Sequence, residues 1–261
     1  MSNFETLAVR GDDRGVAHVQ MNLPEKRNAL SARMIAELTE LAQGLGASQE
    51  TRAMVLSGAG KVFCAGGDLT WMKAQIEADR KTRMAEARKL AEMLNALNEM
   101  PTPLIGRIHG SAFGGAVGLA CVCDVTLAET GTKFGFTETR LGLIPATIGP
   151  YVLARMGEGN ARRVFMSARV FEAEEARDLG IVARVVDSGE MDAAVEAEVA
   201  PYLTVAPGAV GRAKALARAL GPRIDDALID LSIEALADAW EDEESAHGID
   251  AFLSKTKPRW A

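Results

Sequence analysis

The hydrophobic positions of the chain alternate between short apolar runs and longer stretches with helical spacing. The segment "LAVRGDDRGVAHVQM" (7–21) predicts two strands that are joined by a turn of glycine and aspartate. Four further apolar runs bounded by turn residues predict strands: "RAMVLSG", "PLIGRIHG", "DVTLAE" and "ARVVD". The clearest helix covers about 82–99, where apolar residues recur every three or four positions. These residues are Leu90, Met93, Leu94 and Leu97. The alternation predicts an α/β fold of repeated strand–helix units.

The C-terminal part of the chain has a different pattern. From Pro207 onward the strand signals stop, and an amphipathic helix follows that ends in the acidic run "EDEES". Its apolar residues are Ile224, Leu228, Leu231 and Leu236. We therefore predict a core over residues 1–200 and a helical region over residues 201–261.

Composition narrows the class of protein. The 261 residues are 48% hydrophobic and 25% charged, which is enough for one substantial core with a helical appendage. No apolar run reaches the roughly 18 residues of a spanning helix, and the first residues lack the features of a signal or transit peptide. We therefore expect a cytoplasmic protein with no membrane contact. The net charge of -7 argues against nucleic acid as a partner, because a broad basic surface would be needed.

Cysteine and histidine residues point to no metal chemistry. The cysteines are Cys64, Cys121 and Cys123. They form no CxxC pair, so we predict reduced, buried thiols. The histidines are His18, His109 and His247. They lie far apart in the sequence and have no metal-ligand spacing. The sequence therefore predicts no metal site.

Two glycine-rich segments are candidates for binding a ligand oxygen. The segments "CAGGDL" (64–69) and "FGGAVGL" (113–119) each follow an apolar run and lead into a helical pattern. Backbone N–H groups at both helix starts are then free to point at a ligand. Two such donors that converge on one carbonyl form an oxyanion hole. The alternative is that both are tight turns packed against their neighbours.

Five segments together resemble a known family. They are "PEKRNAL" (24–30), "FCAGGDL" (63–69), "GSAFGGAVGLACVCD" (110–124), "FGFTETRLGLIP" (134–145) and "AFLSKTKP" (251–258). Over nearly its whole length the chain resembles the crotonase, or enoyl-CoA hydratase/isomerase, superfamily. The resemblance implies a crotonase-like spiral of repeated β-β-α units with a helical C-terminal trimerisation region. It also implies an acyl-CoA substrate and no cofactor beyond the coenzyme A of the thioester.

The resemblance carries site residues with it. It implies that the amides of Gly67 and Gly115 hold the thioester carbonyl as an enolate. It places coenzyme A against residues from two segments: Lys26, Arg27, Ala29, Ala65, Asp68 and Leu69. It implies that Phe252 and Lys255 of a neighbouring subunit complete that site, within a homotrimer or a dimer of trimers. The lysine and arginine of the first segment would supply the local basic patch that an acidic protein needs, although exposed turn cations are the alternative.

One position departs from the family pattern. Enoyl-CoA hydratases resemble one another in carrying two glutamates, and this chain has Gly118 at the first position and Glu138 at the second. Syn addition of water is served by two carboxyl groups, whereas a 1,3-proton shift needs only one base. The missing glutamate therefore favours isomerisation or a modified hydration. A helix-start role, without catalysis, is the alternative for Glu138.

The surrounding sequence favours hydration. The segments 67–73 and 139–152 resemble the bacterial methylglutaconyl-CoA hydratase branch, which also tends to have glycine at the first position. We predict that Gly118 leaves room for the substrate's own carboxylate or for an ordered water. Trp71 is predicted to line the pocket, and Arg140 or Lys73 to face the substrate acid, with solvated salt bridges as the alternative for both cations.

Two other functions stay open. The first is an enoyl-CoA isomerase that uses Glu138 alone. The second is a non-catalytic relative that binds a CoA ester or RNA. The acidic net charge argues against the RNA version, and the presence of Glu138 argues against an inactive protein.

Overall fold

A computed structural model describes residues 4–261, and its strands form two sheets. The strands are β1 (Leu7–Gly11), β2 (Val16–Met21), β3 (Ala53–Gly58), β4 (Leu104–Ile108), β5 (Ser111–Phe113), β6 (Val125–Glu129), β7 (Lys133–Gly135), β8 (Phe171–Glu172) and β9 (Arg184–Val186). The larger sheet has the order β1-β2-β3-β4-β6-β9, and only its β1–β2 pair is antiparallel. All six of its strands correspond to apolar runs in the sequence, so those strand predictions are confirmed.

The smaller sheet has the order β5-β7-β8 and was not predicted. Its strands are two or three residues long, which is too short for an alternating pattern to be recognised. An isolated bridge between Cys64 and Ala112 links this sheet to the chain that leaves β3. The smaller sheet therefore lies where the two glycine-rich segments meet.

Helices cover the larger sheet and make up the C-terminal region. They are α1 (Ala32–Gln43), α2 (Leu69–Glu77), α3 (Arg80–Glu99), α4 (Gly115–Val122), α5 (Gly149–Met156), α6 (Glu158–Arg162), α7 (Ala173–Asp178), α8 (Met191–Val199), α9 (Pro207–Leu220), α10 (Asp226–Glu241) and α11 (Glu243–Leu253). The amphipathic patterns that predicted α3 and α10 are confirmed. Across the described residues no helix is both long enough and apolar enough to cross a membrane.

The main core lies between the larger sheet and helices α1, α3 and α4. Its largest fully buried side chains include Phe63, Met93 and Phe136. The cysteines are buried and unpaired, and burial raises the pKa of each thiol to about 12. The predicted reduced, buried thiols agree with this arrangement.

The C-terminal helices fold back onto the core of the same chain. Helix α10 packs along α3, through Ile229 and Ile233 against Ala87 and Ala91. Helix α11 packs on the 3₁₀ turn at residues 138–141. The helical character of this region is as predicted, while the division of the chain at residue 200 stays an interpretation.

Candidate active site

Leu30 brings the two glycine-rich segments together. Its backbone forms a parallel bridge with Gly67: the Leu30 N–H donates to Gly66 O at 2.8 Å and Leu30 O accepts from the Asp68 N–H at 3.3 Å. Its side-chain Cδ1 lies 2.9 Å from where a β-carbon on Gly115 would stand. Gly67 and Gly115 therefore lie on either side of one leucine.

A second set of contacts runs between the same segments. The Phe113 N–H donates to Cys64 O at 3.4 Å. Gly66 has a φ of +96°, and a β-carbon there would stand 2.8 Å from Phe113 O. Only glycine tolerates both the conformation and the close approach. The two glycine-rich segments therefore pack tightly against each other, as the alternative of tight packed turns predicted.

The amides of Gly67 and Gly115 are available to a ligand. Among the described residues, neither N–H donates to a protein acceptor. Gly115 is the first residue of α4, where an N–H has no partner within the helix. A β-carbon on Gly67 would meet open space. Two unpaired donors in neighbouring segments are what an oxyanion hole requires.

Glu138 lies beside the start of α4. It begins the turn at residues 138–141, and its Oε1 lies 2.9 Å from where a β-carbon on Gly114 would stand. Part of the residue is exposed, but Oε2 is buried and has no hydrogen-bond partner among the described residues. The structure thus brings this carboxyl group next to one of the two candidate oxyanion amides.

Burial sets the charge of this carboxyl group. Removal from water raises the pKa of Glu138 to about 7, and the residue's own backbone N–H opposes the rise only in part. A carboxyl group with a pKa near neutrality can accept a proton and return it at the same pH. The geometry and the pKa therefore both suit a general acid–base.

The room predicted at Gly118 is absent. A β-carbon there would stand 2.6 Å from Cγ2 of Ile148 and 3.5 Å from Cδ1 of Leu94. Gly118 and Ile148 are both buried. The prediction that Gly118 opens space for a carboxylate or a water is therefore wrong, because an isoleucine side chain fills that space. The contact could not be predicted from the sequence, because Ile148 lies thirty positions after Gly118 in the chain.

Arg140 and Lys73, the cations predicted to face the substrate's carboxylate, are both exposed to solvent. This position agrees with the alternative of solvated side chains. Trp71 differs from them, because its Nε1 is buried and has no hydrogen-bond partner within residues 4–261.

The two segments predicted to bind coenzyme A are joined by a backbone hydrogen bond. The Ala65 N–H donates to Arg27 O at 3.0 Å. The side chains of Lys26 and Arg27 are exposed beside this contact, whereas Ala29 is buried. A surface with two cationic side chains and a loop held by a backbone hydrogen bond is suited to a phosphate-bearing ligand.

Asn28 holds this surface in shape, and the sequence interpretation missed it. Its Nδ2 donates to Ala59 O at 2.8 Å, to Val62 O at 3.0 Å and to Phe63 O at 3.1 Å. Its Oδ1 accepts from the Leu23 N–H at 3.0 Å. Arg27 and Asn28 have φ values of 54° and 52°, and asparagine is enriched in that region. The signal available in the sequence was an asparagine directly after the charged residues of a short turn.

The remaining predicted contacts fall into two groups. Asp68 caps α2, since its Oδ1 accepts from the N–H groups of Thr70 and Trp71, while Leu69 is half exposed. Phe252 is half exposed on α11, and Lys255 follows with a φ of 56°. Their contact with coenzyme A, in this chain or in a neighbour, stays a prediction.

Comparison with known proteins places this geometry in a family. The family model described as "Enoyl-CoA hydratase/isomerase" matches residues 11–261. A solved enoyl-CoA hydratase from Shewanella pealeana is 33% identical with a TM-score of 0.80, over 98% of this chain and 96% of that chain. Pseudomonas aeruginosa AtuE is 34% identical with a TM-score of 0.81, over 98% of this chain and 100% of that chain.

The similarity extends to an isomerase as well. The mitochondrial Delta(3,5)-Delta(2,4)-dienoyl-CoA isomerase of Mus musculus is 34% identical over 196 residues, which are 70% of this chain and 59% of that protein. The fold, the paired glycine segments and the family match therefore agree: the chain belongs to the enoyl-CoA hydratase/isomerase family.

Proposed function

We propose that the protein adds water to an α,β-unsaturated acyl-CoA, with Glu138 as its sole acid–base group. The observation that carries the proposal is the carboxyl group of Glu138 beside Gly114, whose Oε2 is buried and has no partner among the described residues. Membership of the family supports an acyl-CoA substrate.

The reaction follows from this arrangement. The thioester carbonyl accepts hydrogen bonds from the amides of Gly67 and Gly115, and coenzyme A lies against the segment that carries Lys26 and Arg27. The carboxylate of Glu138 takes a proton from water while the water oxygen bonds to the β-carbon. The electron pair of the double bond moves onto the carbonyl oxygen as an enolate, which the two amides stabilise. The protonated Glu138 then returns the proton to the α-carbon, and the thioester carbonyl forms again.

The pKa of about 7 supports one carboxyl group in both steps. A group with an ordinary glutamate pKa would be a weak base toward water and would hold the captured proton poorly. Because burial raises the pKa of Glu138, the free-energy costs of accepting the proton and of returning it become more similar. A methyl group of Ile148 fills the space beside Gly118, so no second acid is available there. This scheme requires none, because Glu138 serves both steps.

The finer proposal is 3-methylglutaconyl-CoA as the substrate, a step of leucine catabolism. The segments 67–73 and 139–152 support it by their resemblance to that hydratase branch. The room predicted at Gly118 no longer supports it, because Ile148 fills the space. Any recognition of the substrate's carboxylate must therefore come from another part of the pocket.

Isomerisation is the second candidate, favoured by the apolar side chain beside Gly118. A wall of Ile148 and Leu94 excludes a second acid, and one base suffices to move a proton along an acyl chain. The non-catalytic alternative has less support. A carboxyl group with a buried, unpartnered oxygen lowers stability, and a protein without catalysis would have no function that offsets this loss.

We also propose that the protein acts as a homotrimer or a dimer of trimers. Helix α9 buries none of its residues within the chain, and Leu216 and Leu220 are 60% and 80% exposed. Leu231 on α10 is 62% exposed. Exposed leucines on neighbouring helices are typical of an interface between subunits.

The test supplies the purified protein with 3-methylglutaconyl-CoA, crotonyl-CoA and a trans-3-enoyl-CoA, and follows the products by chromatography. We expect hydration of the first substrate to be fastest and Glu138→Gln to lose most of it. Movement of the trans-3 double bond without hydration of any substrate would establish the isomerase instead. Full activity of Glu138→Gln would contradict both mechanisms.

A further inference from the structure

Leu30 contacts both glycines whose amides are the candidate oxyanion donors, and its backbone makes the first of these contacts. The Leu30 N–H donates to Gly66 O, and Leu30 O accepts from the Asp68 N–H. Both partners are chain neighbours of Gly67, as in a parallel bridge, so the N–H of Gly67 itself points away from Leu30. The bridge therefore fixes the direction of the first amide.

The side chain of Leu30 makes the second contact. Its Cδ1 lies 2.9 Å from where a β-carbon on Gly115 would stand, which is closer than a real β-carbon approaches its neighbours. Glycine at this position therefore lets α4 begin directly against the methyl group. Leu30 is only 3% exposed, so the contact is shielded from solvent. One residue thus sets how far apart the two glycine amides lie.

Leu30 is itself held by the residues on either side of it in the chain. Asn28, two positions earlier, makes four hydrogen bonds through its side chain. Ser31, the next residue, caps α1, since its Oγ accepts from the Met34 N–H at 3.2 Å. The backbone around Leu30 is therefore fixed independently of its side chain, which is the support that a precisely placed site needs. A shorter side chain would leave a gap that only the start of α4 can close.

We infer that Leu30 is a positioning residue of the oxyanion hole, which sets the spacing and direction of the Gly67 and Gly115 amides. This inference rests on the proposed function and adds to it a residue that acts through the two glycines. The amides stabilise an enolate more than the neutral carbonyl that precedes it, because negative charge on the oxygen grows during the reaction. A change in their spacing should therefore lower kcat more than it raises KM.

The kinetic test shortens the side chain at this contact and uses the fastest of the three substrates named above. Leu30→Val removes both Cδ atoms, and we expect kcat to fall by about 10-fold to 100-fold, as for misplaced catalytic groups, while KM changes by less than about 3-fold. Leu30→Met keeps a side chain long enough to reach Gly115 and should retain most of kcat. The matched control is Leu41→Val, at a buried position of α1 in the same core, which should lose comparable stability and leave kcat unchanged.

A variant on the glycine side tests the same contact independently. Gly115→Ala places a methyl group 2.9 Å from Cδ1 of Leu30 and should also lower kcat. Leu30→Val in the same chain removes that Cδ1, so the double variant should be more active than Gly115→Ala alone. A double variant whose loss equals the product of the two single losses would show that the residues do not act through one contact, and would overturn the inference.

A spectroscopic measurement separates failure of this inference from failure of the proposed function. Butyryl-CoA has no double bond to hydrate, and an isotopic label on its carbonyl carbon lets infrared difference spectra report the hydrogen bonds to that oxygen. We expect binding to lower the carbonyl frequency in the unaltered protein and in Leu41→Val, and to lower it less in Leu30→Val. Equal frequencies in the three proteins would overturn the inference and leave hydration intact. A frequency that depends on Leu30, in a protein that hydrates no enoyl-CoA, would overturn the proposed function alone.

Discussion

Cγ2 of Ile148 occupies the place where a side chain on Gly118 would begin, 2.6 Å from the position of its β-carbon. The two residues come from α4 and from the loop before α5, and both are buried. A glutamate at position 118 would therefore have to displace this isoleucine. The absence of a side chain at position 118 is therefore matched by a packing contact with Ile148.

The first prediction concerns this contact. Gly118→Ala should destabilise the fold by about 1–3 kcal/mol, as overpacking does. Ile148→Ala should cost about 2–5 kcal/mol through the cavity that it leaves. The double variant should lose less than the sum of the two, because the alanine methyl enters the space that Cγ2 vacates. Urea unfolding of the four proteins measures the coupling, and strict additivity would show that the two side chains do not compete.

The second prediction is the pH dependence of activity. Glu138 must be ionised to accept the first proton, and its pKa is about 7. The logarithm of kcat/KM should rise with unit slope below pH 7 and level off above it. A second carboxyl group with a matching role would add a descending limb, so a bell-shaped profile that ends below pH 8 would count against a single acid–base. Glu77→Gln, on the exposed side of α2, is the control and should leave the profile unchanged.

The third prediction is a gain in stability when the charge is removed. Because the pKa of Glu138 is raised in the folded state, the unfolded chain binds fewer protons between pH 4.5 and about 7. The contribution of this group to the free energy of unfolding is largest below pH 4.5 and is lost as the pH rises through 7. Glu138→Gln should therefore be the more stable protein at pH 8, by up to about 3 kcal/mol. The difference should vanish near pH 4.5, and thermal unfolding at both pH values measures it.

The fourth prediction concerns Asn28. Asn28→Ala removes hydrogen bonds to three carbonyl groups and one amide, which leaves buried groups unpaired. We expect a loss of about 1–3 kcal/mol in stability. The KM for an acyl-CoA should rise more than kcat falls, because the segment that carries Lys26 and Arg27 loses its support. Asn22→Ala, at an exposed site in the same region, is the control and should leave KM unchanged. A fall in kcat with an unaltered KM would place Asn28 elsewhere in the mechanism.

The sequence predicted the features that depend on neighbours along the chain. The strands of the larger sheet and the helices α3 and α10 have local apolar patterns, so their positions were readable. Glu138 and the glycine segments were recognisable as motifs. Ile148 and Leu30 were not, because their roles depend on contacts between distant segments. The contact of Arg140 or Lys73 with a substrate acid stays a prediction, since a sequence does not say which side of a turn faces the interior.

The packing of α11 against the turn at residues 138–141 joins two parts of the chain that are made at different times. A β-carbon on Gly248 would collide with Leu141, and one on Gly142 with the backbone of Glu244, so the two elements fit closely through glycines. A ribosome produces the Glu138 turn about a hundred residues before its cover. The turn at residues 138–141 therefore completes its packing only after α11 has been made.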